Sequence, residues 1–277
     1  MTRTFSMISS HSRSSPSRPA YPCAMSTIRV PYHQDERLAD DTFPMLAGEA
    51  VTVETALSGG TLWQRLAALY EPVAATVAEH ARAGTVPTVV SGDCLVALAT
   101  IAGSQRAGVD PGIVWFDAHG DVHTLETSTS GYPGGLALRL AMGANPELLA
   151  EPLGLRPVAE ERVVLMDARD LDPAETAYLA TSRLTRLPVA DLDAAALPAG
   201  PIVLHIDVDV IDPAELPHLR FPASQGPSTD AVLRAVHRVL TTGRVTAVDI
   251  ACTWHPAQDD RDAILRADLL SRLTNPR

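Results

Sequence analysis

Six short, continuous apolar runs, rich in β-branched side chains, recur along this chain with helical patterns between them. The runs are 27–32 (TIRVPY), 87–90 (PTVV), 112–116 (GIVWF), 162–166 (RVVLM), 202–206 (IVLHI) and 244–250 (RVTAVDI). A strand that is apolar on both faces has to be covered on both faces, and parallel strands need long crossovers between them. The intervening stretches 62–83, 94–106, 135–143, 172–181, 228–241 and 257–273 carry helical periodicity. The pattern predicts an α/β fold: three α/β/α layers, doubly wound around a mainly parallel sheet. Residues 183–200, rich in Ala, Leu and Pro, read as an irregular connection. A chain of 277 residues suffices for one large domain. Residues 27–277 are therefore read as a single domain. Residues 1–26, rich in Ser, Arg and Pro, are read as a disordered N-terminal extension.

In open parallel sheets, ligands bind beyond the carboxyl ends of the strands. The polar clusters of this sequence fall there. Ser91-Gly-Asp-Cys94, Asp117-Ala-His-Gly-Asp121, Asp167 to Asp172, and Asp207-Val-Asp209 each follow one of the apolar runs. A lone Asp-x-Asp after a strand is an ordinary turn former. Two such clusters crowded at one sheet edge repel each other unless a cation neutralises them. Alternate residues of an extended segment face the same side, so Asp117, His119 and Asp121 can converge, as can Asp207 and Asp209. Five ligands on two strands suit a pair of ions. Oxygen-rich ligation with an imidazole suits Mn²⁺ and similar divalent ions.

The balance of 22 basic against 33 acidic residues, a net charge of −11, argues against nucleic acid and anionic membranes as partners. The three cysteines are odd in number and far apart, which disfavours a disulfide framework. No apolar run reaches transmembrane length, and no apolar stretch follows the basic N-terminal residues as in a secretory signal. A cytoplasmic location is the resulting expectation.

The stretches Ser91-Gly-Asp-Cys94, Trp115-Phe-Asp-Ala-His-Gly-Asp121 and His205-Ile-Asp-Val-Asp-Val-Ile-Asp-Pro213 resemble the motifs of the arginase and agmatinase family, the ureohydrolases. The resemblance spans roughly residues 27–275. It implies an arginase-like fold and an amidinohydrolase with two Mn²⁺ ions. Asp117 and Asp207 would bridge the ions, Asp121 would bind one of them, and His119 and Asp209 the other. Hydroxide generated between the ions would attack the guanidino carbon. Asp121 would relay the proton to the leaving amine, with His123 as a second candidate. The segment Arg169-Asp-Leu-Asp-Pro-Ala-Glu175 resembles the family loop that contacts a substrate α-amino group, which assigns Asp172 and Glu175 to that role. Ser130 falls where the family has a serine near the α-carboxylate. Asp172, directly before Pro173, is equally suited to cap a helix. The implied partner is a small guanidino amino acid. Family members are often trimers or hexamers, so a homo-oligomer is possible, but no feature of the sequence decides the oligomeric state.

Three departures from the family pattern bear on substrate. The family has Gly-Gly-Asp-His at the first motif, where the histidine binds metal; here Cys94 stands in its place, a softer sixth ligand. The histidine that follows Ser-Gly-Asn-Leu in the family is missing from Ser130-Gly-Tyr-Pro-Gly134. The glutamate of Asp-Ile-x-Glu, which pairs with the guanidinium, is replaced in Asp249-Ile-Ala-Cys252. A site without that anion binds an always-charged guanidinium less well. An N-hydroxyguanidine is the weaker base and needs less help. The changed ligand set resembles the amidinohydrolases of D-cycloserine biosynthesis, which convert Nω-hydroxy-L-arginine into L-ornithine and hydroxyurea. A plain arginase, a hydrolase of another guanidino or formimino substrate, or a degenerate scaffold that binds metal without turnover are the alternatives.

Overall fold

The computed structural model describes residues 25–44, 50–57 and 59–274. The expected disordered extension, residues 1–26, lies outside these except for Met25 and Ser26, which open the first strand. Eight strands form one sheet: β1 (Met25–Val30), β2 (Ala50–Thr52), β3 (Val86–Ser91), β4 (Gly112–Asp117), β5 (Val163–Asp167), β6 (Thr185–Leu187), β7 (Ile202–Asp207) and β8 (Val245–Ala251). Their order across the sheet is β2-β1-β3-β8-β7-β4-β5-β6, and every neighbouring pair runs parallel.

Two elements differ from the sequence reading. The stretch 183–200, expected to be irregular, contains the edge strand β6, and β2 forms the opposite edge. Both are three residues long and largely exposed, so neither carries the apolar run that betrays an inner strand. Edge strands this short also leave little template for pairing with another chain.

The helices are α1 (Leu62–Arg82), α2 (Ala97–Arg106), α3 (Ala137–Ala141), α4 (Ala150–Leu153), α5 (Pro173–Leu179), α6 (Thr229–Leu240) and α7 (Asp260–Thr274). Local sequence fixes several of their ends. Thr61 and Gln64 form a reciprocal capping box at the start of α1, and Ser228 accepts from the Ala231 amide at the start of α6. On α6 the buried Val232, Ala235, Val236, Val239 and Leu240 recur at helical spacing and form one apolar stripe.

Alternation along the strands divides the interior into two cores. Ile113 and Trp115 of β4, Val203 of β7 and Ala247 of β8 pack with α1 to α4. Val114 and Phe116, Leu204 and Ile206, and Val248 and Ile250 pack with α6 and α7 on the other face. The sheet is thus the middle of three layers, as the continuous apolar runs require. No helix among the described residues is long and apolar enough to cross a membrane.

Candidate metal centre

The carboxyl ends of β3, β4 and β7 lie close together, because β8 alone separates β3 from β7 and β7 pairs with β4. After β3 the chain turns through Gly92, where a Cβ would lie 2.6 Å from Leu38 Cδ1 and 2.8 Å from the Tyr32 carbonyl oxygen. Only glycine permits that approach. Asp93 Oδ1 then accepts from the Leu95 amide at 2.8 Å, which starts a short 3₁₀ turn leading into α2. This places Cys94 at the head of α2, with Sγ 2.8 Å from Asp207 Oδ2.

At the end of β4, Asp117 Oδ1 accepts the His119 amide at 2.7 Å. The same local bond recurs at the end of β7, where Asp207 Oδ1 accepts the Asp209 amide at 2.9 Å. These bonds turn His119 and Asp209 back toward each other. His119 Nδ1 lies 3.3 Å from Asp117 Oδ1 and 3.3 Å from Asp209 Oδ2. Asp121 has a left-handed backbone, φ 53°, that brings its side chain into the same space. Asp117, Asp121, Asp207, Asp209 and Cys94 are all buried.

These five residues and His119 line one cavity together with His123, Ser130, Asp172 and Glu175, so all ten candidate site residues of the sequence face it. Its volume of about 170 Å³ is well above the ~10–15 Å³ that seats a single water. Asp172 is the N-cap residue of α5, and its amide donates to Glu175 Oε2 at 3.1 Å. Glu175 Oε1 accepts from the Val122 amide at 3.3 Å. His123 Nε2 lies 3.1 Å from Asp172 Oδ2. Ser130 Oγ accepts from the Tyr132 amide at 3.2 Å. Both acids of the α5 loop therefore have local structural partners as well as a face on the cavity.

The electrostatics of this cluster call for a cation. Burial, and then the charge of Asp117, holds the Asp121 carboxyl well above its ordinary range. Burial and the neighbouring Asp209 do the same to Asp207. Burial and Asp117 raise Asp209 to about 6. Burial opposes charge on His119, but hydrogen bonds to Asp117 and Asp209 outweigh it and raise the imidazole to about 12. Asp121 Oδ2 is buried with no hydrogen-bond partner among the described residues, a costly arrangement unless something else occupies its lone pairs. Two groups of donor atoms lie within 4.8 Å of one another: Asp117, His119 and Asp209, and Cys94, Asp117 and His205. The donors and the orphaned oxygen fit a pair of divalent cations.

The sequence profile that describes the arginase family matches residues 23–274. This chain belongs to the arginase family. It is 31% identical over 186 residues to the arginase of Eremothecium gossypii, covering 61% of this chain and 47% of that one. It is 30% identical over 188 residues to the N(omega)-hydroxy-L-arginine amidinohydrolase of Streptomyces lavendulae, covering 66% of each. The chain thus spans about half to two thirds of the length of these curated relatives. The crystal structure of the arginase from Bacillus subtilis subsp. subtilis superposes with a TM-score of 0.77 at 23% identity, covering 92% of this chain and 99% of that one. The last likeness concerns the fold.

Within this arginase-family chain the departures from the family motifs have physical consequences. Gly134 stands where the family histidine would be, and a Cβ built on it would lie 2.3 Å from Tyr132 Cε1. Cys252 stands where the guanidinium-pairing glutamate would be, and it is buried in the core on the α6 and α7 face of the sheet. The next residue, Thr253, faces the cavity and donates from Oγ1 to Asp207 Oδ1 at 2.5 Å.

Three side chains of the cavity wall, Tyr132, Phe221 and Thr253, were not among the residues the sequence marks as a site, while Asp170 belongs to its Asp167 to Asp172 cluster. Tyr132 and Phe221 meet with ring centroids 4.8 Å apart, and Phe221 meets His119 edge-on at 6.4 Å. No local pattern marks these side chains, because they come from separate loops. His205 was also missed. Its position two residues before Asp207 on one strand is the signal that could have placed it on the same face.

Proposed function

We propose that the chain is a two-metal amidinohydrolase that converts Nω-hydroxy-L-arginine into L-ornithine and hydroxyurea. The observation that carries this reading is the convergence of Cys94, Asp117, His119, Asp121, Asp207 and Asp209 on one cavity whose wall also presents Asp172 and Ser130. The similarity to the amidinohydrolase of Streptomyces lavendulae supports the choice of substrate. So does the core position of Cys252, which leaves the cavity without an anion at that point. Cys94, Asp117, His119, Asp121, Asp207 and Asp209 would hold the two Mn²⁺ ions, with Asp117, His119 and Asp209 forming one compact donor group. When bound, such ions supply hydroxide at neutral pH by lowering the pKa of water.

The protein's own groups do the rest. Asp121, a residue of the cavity wall with one unpartnered carboxylate oxygen, accepts the nucleophile's proton and passes it to the departing δ-amine. Asp172 is the more exposed acid of the α5 loop and takes the substrate α-amino group, while Glu175 holds the loop through the Val122 and Asp172 amides. Ser130 has its hydroxyl proton free to donate to the α-carboxylate, because its oxygen is used as an acceptor. His123 is held by Asp172 and orients that carboxylate. Tyr132 and Phe221 offer aromatic faces to a planar hydroxyguanidine.

The test is to load the purified protein with Mn²⁺ and measure ornithine release from Nω-hydroxy-L-arginine and L-arginine, and urea release from agmatine. Hydroxyarginine is expected to have the highest kcat/KM. Faster turnover of arginine would overturn the substrate, and turnover of none would overturn the activity.

A further inference from the structure

His205 is fully buried on β7, one pleat below Asp207, and the mechanism above gives it no task. Its ring stacks on Trp115 with centroids 3.6 Å apart, and Trp115 Nε1 in turn donates to Asp117 Oδ2 at 3.1 Å. His205 Nδ1 lies 2.9 Å from Asp249 Oδ1, and Asp249 Oδ2 accepts from Thr100 Oγ1 at 2.7 Å. The other nitrogen, Nε2, is buried and has no hydrogen-bond partner among the described residues. A ring nitrogen of His205 lies within 4.8 Å of both Cys94 Sγ and an Asp117 carboxylate oxygen.

A carboxylate on Nδ1 keeps the proton on that nitrogen. The Nε2 lone pair is then an acceptor with no donor facing it. A metal-binding imidazole is commonly held in this way, with a carboxylate fixing its tautomer and raising its basicity. An unpartnered buried imidazole nitrogen is otherwise a standing cost. Stacking on Trp115 and the Thr100–Asp249 pair leave the ring no second orientation that keeps these contacts.

We propose that His205 Nε2 is a ligand of the ion at Cys94, so that the imidazole missing from position 94 is supplied from the sheet below. The inference rests on the two-metal reading and deepens it. Cys94 at the head of α2 and His205 on the strand below it present their donor atoms within 4.8 Å of one another. Each of the two ions would then have one imidazole donor, His119 for one and His205 for the other. With imidazole, thiolate and carboxylate together, this ion's donor set is softer than its neighbour's, which favours Co²⁺ and Zn²⁺ there over Mn²⁺.

The test uses the wild-type protein loaded with Co²⁺, whose paramagnetism displaces the signals of coordinated groups in proton NMR. The Nδ1 proton of His205, buried and bonded to Asp249, is expected as a strongly shifted imidazole N–H that survives slow exchange in D₂O. A protein that takes up two Co²⁺ ions and shows no such signal overturns the inference and leaves the amidinohydrolase reading intact. A protein that takes up no ion overturns the metal-centre reading itself. In a second measurement, His205→Gln should retain one ion after dialysis where wild type retains two, with binding of the lost ion at least ~10-fold weaker. Equal retention of both ions by a variant that melts as wild type also overturns it. If His205→Gln does not fold, the wild-type spectrum decides.

Discussion

The ring of Tyr132 occupies the space into which any side chain at residue 134 would project. A Cβ on Gly134 would lie 2.3 Å from Tyr132 Cε1 and 2.7 Å from its hydroxyl oxygen. That hydroxyl lies 3.4 Å from the buried Asp93 Oδ2, and the ring packs between His33 and Phe221. A histidine at 134 and the Tyr132 ring in this position therefore exclude each other. Gly134→Ala should destabilise the protein by about 1–3 kcal/mol through overpacking. In a Tyr132→Ala background the same change should cost far less. Thermal or urea unfolding of the four proteins of the double-mutant cycle measures the coupling, and additivity would contradict the steric account.

Cys94 is the softest donor at the candidate centre, and burial followed by the charge of Asp207 opposes its ionisation. A thiol that must give up its proton against this resistance makes the site a weaker host for Mn²⁺. Cys94→His should raise Mn²⁺ affinity, visible as slower loss of metal to a chelator and as a higher Tm at limiting Mn²⁺. Unchanged retention would mean that Cys94 does not contact the ion.

Asp121 combines a left-handed backbone, a buried carboxyl and an unpartnered oxygen. Asparagine tolerates that backbone and has nearly the same shape. Asp121→Asn should therefore fold as wild type while lowering kcat by roughly 10²–10⁴-fold, the usual range for a lost proton-transfer group. Activity within a few-fold of wild type would remove Asp121 from the proton path.

How much of this was visible in the sequence follows from where the information lies. The inner strands announce themselves because burial on both faces demands unbroken apolar runs such as Ile113 to Phe116. The edge strands Ala50–Thr52 and Thr185–Leu187 do not, because solvent covers one side of each. The ligand candidates were legible because Asp117, His119 and Asp121, and Asp207 and Asp209, are local patterns at strand ends. Phe221 and Tyr132 were not, since their meeting depends on how two distant loops fold over the cavity. Thr253 was overlooked beside Cys252, because the register that turns one into the core and the other toward Asp207 belongs to the sheet.

Arg169 ties the cavity loops together. It pairs with Asp167 and donates to the carbonyl oxygens of Val210 at 3.0 Å, Ala223 at 2.7 Å and Ser224 at 3.2 Å. These bonds join the segment after Asp209 to the loop that carries Phe221. Arg169→Ala should destabilise the protein by about 1.5–3 kcal/mol, the scale of hydrogen bonds to a charged group. Limited proteolysis should then cut between residues 212 and 227 faster than in wild type. Arg169→Lys should recover only part of the loss, since one ammonium cannot span the same acceptors.

The charge balance at the centre also predicts opposite pH responses with and without metal. Without a cation, burial and Asp117 hold Asp209 at about 6, above its ordinary 3.8. A carboxyl raised by folding contributes stability that is complete below its unfolded pKa and is lost as pH rises through its folded one. His119, raised from 6.5 to about 12 by Asp117 and Asp209 against the effect of burial, has the same sign: its contribution is full below 6.5 and declines above it. The metal-free protein should therefore lose stability between pH 5 and 8. Cation binding needs His119 neutral and the carboxyls ionised, so affinity rises over the same interval. The gap in Tm between metal-loaded and chelator-treated protein should widen from pH 5 to pH 8. Calorimetric titration in buffers of different ionisation enthalpy should show protons released on binding. A gap that narrows with pH, or binding without proton release, would mean that the ion does not sit among His119, Asp117 and Asp209.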